Sequence, residues 1–222
     1  MTDLPPPPNW TPPPSGGGGG SAPDVGAALS YGWAKFQQNV GPLIAVILIP
    51  GLVQFVLSAV GRAAVHSLLG SLILSLVGAI VGAITGIGIY QMALMITAGQ
   101  PADIGKAFTY DRWGEWIPFA FLFGLATFVG LVFCLIPGLL FIAFFGLAPY
   151  YFIDGRMSFG DALRASRDAV TSKGLAFPIL LSVIVGVLGI IACFIGVLVT
   201  EPVAYIAVAY LYRYAAGQPV AA

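Results

Sequence analysis

The sequence predicts an all-α integral membrane protein. Six transmembrane helices are expected, in three repeats of an amphipathic interfacial helix plus a hairpin. Three observations lead there. The 222 residues are 59% hydrophobic, 8% charged and formally neutral, whereas soluble domains carry about 25% charge. The apolar residues collect in runs long enough to cross a bilayer, which needs about 20 residues per helix. A short pattern also recurs, as Val25-Gly26-Ala27-Ala28-Leu29, Ile104-Gly105-Lys106-Ala107-Phe108 and Phe159-Gly160-Asp161-Ala162-Leu163, each time ahead of a long apolar stretch.

A second set of markers closes each unit: Ala98-Gly99-Gln100-Pro101, Asp154-Gly155-Arg156 and Ala216-Gly217-Gln218-Pro219. Cys134-Leu135-Ile136-Pro137-Gly138 and Cys193-Phe194-Ile195-Gly196 fall at matching hairpin tips. The repeats therefore span about residues 22–99, 100–155 and 156–217, inside a six-span membrane domain covering 22–222. Cys134 and Cys193 are read either as buried inert thiols or as a disulfide near the outer face.

Residues 1–21 form a low-complexity tail of proline blocks and a glycine run, which predicts a disordered cytosolic segment of polyproline II and flexible tether. Residues 22–39 form an amphipathic helix with Val25, Leu29, Trp33 and Phe36 near one face. Gly41-Pro42 is expected to turn the chain into the first span, about 43–60, with Pro50 inside it. The loop 61–66 holds Arg62 and the single histidine, His66, which has no ligand partners in the sequence. The second span covers about 68–97 and carries Gly78, Gly82 and Gly86, a small-residue ridge that allows another helix to approach closely. That neighbour is either a helix of this chain or a second copy.

A second amphipathic segment, 101–112, leads to Trp113 and Trp116, read as interfacial aromatics. The third span, 117–135, ends in a tight turn at Pro137-Gly138, and the fourth runs to about 152. The stretch 153–173 then holds seven of the eighteen charged residues. Ser158 and Asp161 form a capping-box signature. On the helix that follows, Phe159, Ala162, Leu163, Ala169 and Val170 lie on one arc, opposite Asp161, Arg164, Arg167, Asp168 and Thr171. Such a helix between apolar segments is expected to lie in the membrane interface, apolar face toward the acyl chains. The fifth span covers about 175–195. The last turn falls either at Glu201-Pro202 or near Gly196, and only the second choice places Glu201 within the membrane.

Lys35, Lys106, Arg112, Arg156, Arg164, Arg167, Lys173 and Arg213 fall on the side of the termini, and Arg62 alone on the other. The positive-inside rule then puts both termini in the cytoplasm.

The run Ile136-Pro137-Gly138, Leu147-Ala148-Pro149, Asp154-Gly155 and Ala162-Leu163-Arg164-Ala165-Ser166 resembles a widespread group of six-helix bacterial membrane proteins. That group includes the membrane domain fused to some glycerophosphodiester phosphodiesterases. The resemblance covers roughly residues 22–216 and implies the six-helix fold; the phosphodiesterase activity does not follow, because no phosphodiesterase domain accompanies it. The glycine, alanine, valine and proline bias is similar to that of small actinobacterial membrane proteins.

The sequence holds no P-loop, dinucleotide fingerprint, HExxH, Cys/His metal cluster or Ser/His/Asp set, so no enzyme, cofactor or metal site is expected. With no basic patch, nucleic acid is not expected as a partner. The favoured expectation is a non-catalytic scaffold or accessory protein. It would bind lipids, a protein partner or a second copy through its cytosolic helices, with Arg164, Arg167 and Asp168 as the interface. The alternative is a transporter or lipid-handling protein with a cavity between hairpins, for which Glu201 and Gln54 are the polar candidates.

Overall fold

The computed structural model describes residues 24–64, 67–133, 135–191 and 196–221. The proline-glycine tail, His66, Cys134 and Cys193, together with the side chain of Arg62, lie outside the described residues. The chain is helical throughout: α1 (Val25–Gln38), α2 (Val40–Ala64), α3 (Leu68–Thr97), α4 (Ile104–Ala107), α5 (Trp113–Phe133), α6 (Leu135–Phe145), α7 (Ala148–Ile153), α8 (Phe159–Lys173), α9 (Ala176–Ile191) and α10 (Val197–Ala216).

Several of these helices are long and apolar, the mark of an integral membrane protein. Val40–Gly61, Leu68–Thr97, Trp113–Val132 and Ile136–Ile153 are each long and apolar enough to cross a bilayer. A fifth stretch joins α8 to α9 across a bend of 111°. Large apolar side chains are exposed in rows along α2, α3 and α5, among them Leu48, Leu52, Phe55, Leu69, Leu72, Leu76, Leu122 and Phe128. In water such rows would be costly; against acyl chains they cost nothing.

The capping chemistry follows the sequence closely. Ser158 Oγ accepts from the Asp161 amide at 3.3 Å and donates to the Asp161 carboxylate at 2.7 Å. Asp103 caps α4 by accepting from the Lys106 amide. Gly99 and Gly217 close α3 and α10 in the left-handed region that glycine enters without strain. At the middle marker the left-handed residue is Arg156 (φ 49°), not Gly155.

Several boundaries differ from expectation. The break after α1 falls at Asn39, and Gly41-Pro42 sits in the first turn of α2, where a proline needs no amide partner. Only one helical turn, α4, forms within 101–112, so no amphipathic helix occupies that segment. Pro137 and Gly138 lie inside α6. The fourth hydrophobic run is interrupted at Gly146-Leu147, where α7 starts with Pro149 in its first turn.

The amphipathic helices also face differently. The apolar side of α8 packs on protein: Ala162, Ser166 and Val170 are buried, and Ser166 Oγ donates to the Phe144 carbonyl at 2.9 Å. On α1, Val25, Ala28, Gly32 and Phe36 are buried while Trp33 points outward, 47% exposed. Gly32 lies so close to α10 that a Cβ there would sit 2.5 Å from the Val203 carbonyl oxygen. Both helices therefore roof the bundle instead of lying with their apolar faces in lipid.

Helix α10 is the axis, in contact with α1, α2, α3, α7, α8 and α9. Pro202, Val203, Ala204 and then every residue from Ile206 to Arg213 are buried. A helix enclosed by protein on all sides is free of the demand for a uniformly apolar surface. That is why α10 tolerates Glu201, Arg213 and four tyrosines.

A further close backbone contact joins α5 and α6, and none lies on the α3 ridge. A Cβ on Gly138 would lie 2.6 Å from the Leu131 amide nitrogen, whereas one on Gly82 meets nothing within 4 Å. Gly138→Ala should therefore lower stability by about 1–3 kcal/mol, read as a fall in melting temperature in mild detergent. Gly82→Ala should leave the melting temperature unchanged.

Candidate functional site

A cavity of about 330 Å³ opens between the helices, walled by Tyr90 of α3, Phe123 and Thr127 of α5, Ile142 of α6, Tyr150 of α7, Val183 and Gly186 of α9, and Glu201, Ala204, Tyr205 and Val208 of α10. Every pair of apolar segments contributes to it. Its volume lies at the lower end of the ~300–1,000 Å³ typical of small-molecule pockets.

The wall is held by aromatic packing. Tyr90 meets Tyr150 and Tyr205 edge-on, both with ring centroids 5.1 Å apart. Tyr150 donates its hydroxyl to the Tyr205 carbonyl at 2.8 Å, tying α7 to α10. Thr200 donates to the Gly186 carbonyl at 2.9 Å, tying α10 to α9. Glu201 stands half-buried in this wall, which it shares with Tyr90 and Tyr205, and makes no ion pair with any described residue. The last turn precedes Val197, so Glu201 is the fifth residue of α10 and not its cap. A second, apolar cavity of about 460 Å³ lies beyond Tyr90, Phe123 and Tyr205, lined in part by Gly82, Gly86, Trp116 and Phe128.

The sequence candidates do not all meet. Gln54 lies away from Glu201, its amide against α3, where a Cβ on Gly78 would come within 3.0 Å of Nε2. A Cβ on Gly86 would lie 3.5 Å from the Trp116 ring. Trp116, read from sequence as an interfacial aromatic, is only 1% exposed and donates its indole N–H to the Ala83 carbonyl at 2.8 Å. Glycines of the ridge thus receive side chains instead of a helix backbone. Arg164, Arg167 and Asp168 are exposed on the outer face of α8. Arg164 pairs with Asp161 at 3.6 Å, and Arg167 with its neighbour Asp168 at 3.1 Å.

At the opposite end of α10 the three closing segments converge. Arg213, 8% exposed, donates from Nε to Thr97 Oγ1 at 2.9 Å, from one terminal nitrogen to the Leu94 carbonyl at 3.1 Å, and from the other to Gln218 Oε1 at 3.1 Å. Asp154 accepts from Tyr212 at 2.7 Å and from Gln218 at 2.9 Å. Beside them lies a polar cavity of about 340 Å³, whose walls include Gln100, Tyr110, Asp111, Asp154, Arg156 and Arg213. Sequence reading treated Arg213 as one more topology-setting cation. Its burial left a single trace in the sequence, an arginine within the last apolar run.

Over this cavity Arg156 grips Asp111 with two hydrogen bonds, at 2.6 and 3.2 Å. That contact holds the Asp111 carboxyl below its ordinary value of 3.8. A depressed carboxylate contributes stability in full above its unfolded pKa and loses it as pH falls through the folded one. The pair is exposed, so the effect is small: melting temperature should fall slightly as pH drops below about 4, with a smaller fall in Asp111→Asn. Thermal melts across that range check it.

No family model matches the chain, and no solved structure matches it. Over 135 residues, 60% of its length, the chain is 31% identical to the uncharacterized protein Rv2560 of Mycobacterium tuberculosis (strain ATCC 25618 / H37Rv). The same identity and coverage hold for the uncharacterized protein Mb2590 of Mycobacterium bovis and the uncharacterized protein MT2637 of Mycobacterium tuberculosis (strain CDC 1551 / Oshkosh). The matched region spans 42% of those relatives, less than half their length, so the similarity is distant and partial.

Proposed function

We propose that the chain is a non-catalytic multi-pass membrane protein that holds a lipid or lipid-like molecule in the cavity beside Glu201. The observation that carries this reading is the wall itself: an apolar and aromatic enclosure of about 330 Å³ with one carboxylate that pairs with no described cation. Carboxylates within apolar surroundings are costly and are kept where they serve a ligand or a pathway. In this reading α9 and α10 form the third hairpin, which makes six spans, and Glu201 lies inside the membrane near the outer end. The meeting of Gln100, Asp154, Arg156 and Gln218 at one end supports a triplicated plan, since equivalent loops of a repeat belong on one side. The basic residues assign that end to the cytoplasm of a bacterial plasma membrane. The resemblance to six-helix bacterial membrane proteins agrees with this architecture.

A second reading, an accessory scaffold, rests on α8. Its outer face carries Arg164, Arg167 and Asp168 in solvent, and no described residue covers it. A protein partner or a second copy of the chain could dock there. Native mass spectrometry of the protein released from its own membrane separates the two. Retention of a defined lipid, weakened in Glu201→Gln at unchanged melting temperature, is expected. A stoichiometric protein partner lost in the double variant Arg164→Ala, Arg167→Ala, with Glu201→Gln silent, would replace the lipid-handling reading with the scaffold.

A further inference from the structure

Two buried polar atoms stand out among the described residues because nothing pairs with them: the Tyr110 hydroxyl and one terminal nitrogen, Nη1, of Arg112. Buried donors are nearly always matched, and each exception calls for a reason. A guanidinium only donates, so what is missing beside Arg112 is an acceptor. Tyr110 and Arg156 line the same polar cavity, and Arg112 follows Tyr110 by two residues in the chain.

The surroundings define the acceptor. Arg112 uses Nε and Nη2 on the exposed Glu115 carboxylate, which leaves Nη1 over, and its guanidinium lies 5.2 Å from the Phe152 ring centre. Arg156 uses both terminal nitrogens on the exposed Asp111. Asp111, Arg156 and Tyr110 border the polar cavity, with Asp154 and Arg213 on its far wall. The charges nearly cancel, so a ligand would be chosen by donor geometry and not by a net field. Planar guanidinium forks match the oxygens of a phosphoryl group. The Glu115 and Asp111 carboxylates are exposed, and exposed ion pairs contribute little, so their arginines are free to exchange them.

The position selects the source of that phosphoryl group. Arg112 directly precedes α5, a 21-residue apolar helix opening with Trp113, which packs edge-on against Tyr110 at 6.3 Å. Further along, α5 exposes Phe121, Leu122, Leu125 and Phe128. A donor cluster at the polar end of a lipid-facing helix is placed for a headgroup whose chains lie alongside. We propose that Tyr110 and Arg112, with Arg156 beside them, bind the phosphoryl group of an anionic phospholipid at the interfacial end of α5. The site is separate from the cavity beside Glu201 and depends only on the chain being embedded in a membrane.

The test is a titration of the full chain, purified in detergent, with dioleoyl phosphatidylglycerol, followed by native mass spectrometry and melting temperature. Dioleoylglycerol and inorganic phosphate serve as separate probes. Tyr110→Phe should bind the phospholipid about tenfold more weakly, and Arg112→Gln at least as weakly. Binding of dioleoylglycerol should be the same in all three proteins. Without lipid, Tyr110→Phe should melt at the wild-type temperature or above it, because it removes an unmatched donor. A fall in that lipid-free temperature would assign the hydroxyl a structural partner and overturn the proposal. Equal phospholipid binding by wild type and both variants would overturn it as well. Protection by inorganic phosphate equal to that by the phospholipid would overturn the lipid assignment.

Discussion

The structure depends on one buried cation. Arg213 reaches from α10 into the C-terminal end of α3, where it meets the Leu94 carbonyl and Thr97, and it also holds Gln218 and the Pro219 carbonyl. Helix C-termini present unpaired carbonyls and the negative end of the helix dipole, so a guanidinium there satisfies several acceptors at once. Lys173 does the same for α10, donating to the carbonyls of Tyr214 and Ala215. The Ala221 amide completes the junction by donating to the Thr97 carbonyl. One end of the bundle is thus fastened by cations and the segment 218–221, while the apolar shafts above it are tied by single hydrogen bonds from Tyr150, Thr200 and Trp116.

From that junction follows the arrangement of helices. Once α10 is anchored at the centre, α1 and α8 must cover its polar-ended flanks, and they do so with small residues: Ala28 and Gly32 on one, Ala162 and Ser166 on the other. Their apolar faces are consumed by protein contact. Large aliphatic and aromatic side chains instead stand exposed on α2, α3, α5 and α6. Amphipathicity reports that a helix has two environments; it does not say whether the apolar one is acyl chain or protein.

The two polar features of functional interest sit in different regimes. Glu201 is a single acid in an apolar wall, whereas Tyr110, Asp111, Arg112, Glu115 and Arg156 form a cluster of near-balanced charge at a helix end. The first is suited to a molecule lodged between helices, the second to a headgroup held from outside. In both proposals the partner is a lipid.

Much of this was legible in the residues. The α3 boundaries, the capping of α8 by Ser158, and the glycines that close α3 and α10 follow from hydropathy and from local backbone chemistry. Those signals are short-range, so a linear reading recovers them. The placement of Trp116 in the core, the separation of Gln54 from Glu201, the contact of Gly138 with Leu131 and the burial of Arg213 were decided by neighbours distant in sequence. In a chain this apolar, hydrophobicity cannot tell a lipid-facing side chain from a protein-facing one. The sequence alone therefore determined that the chain is helical and belongs in a membrane, and where α3 and α8 begin. Only the tertiary structure decided which faces meet each other, because that choice rests on shape and on the few polar groups that must find partners once water is excluded.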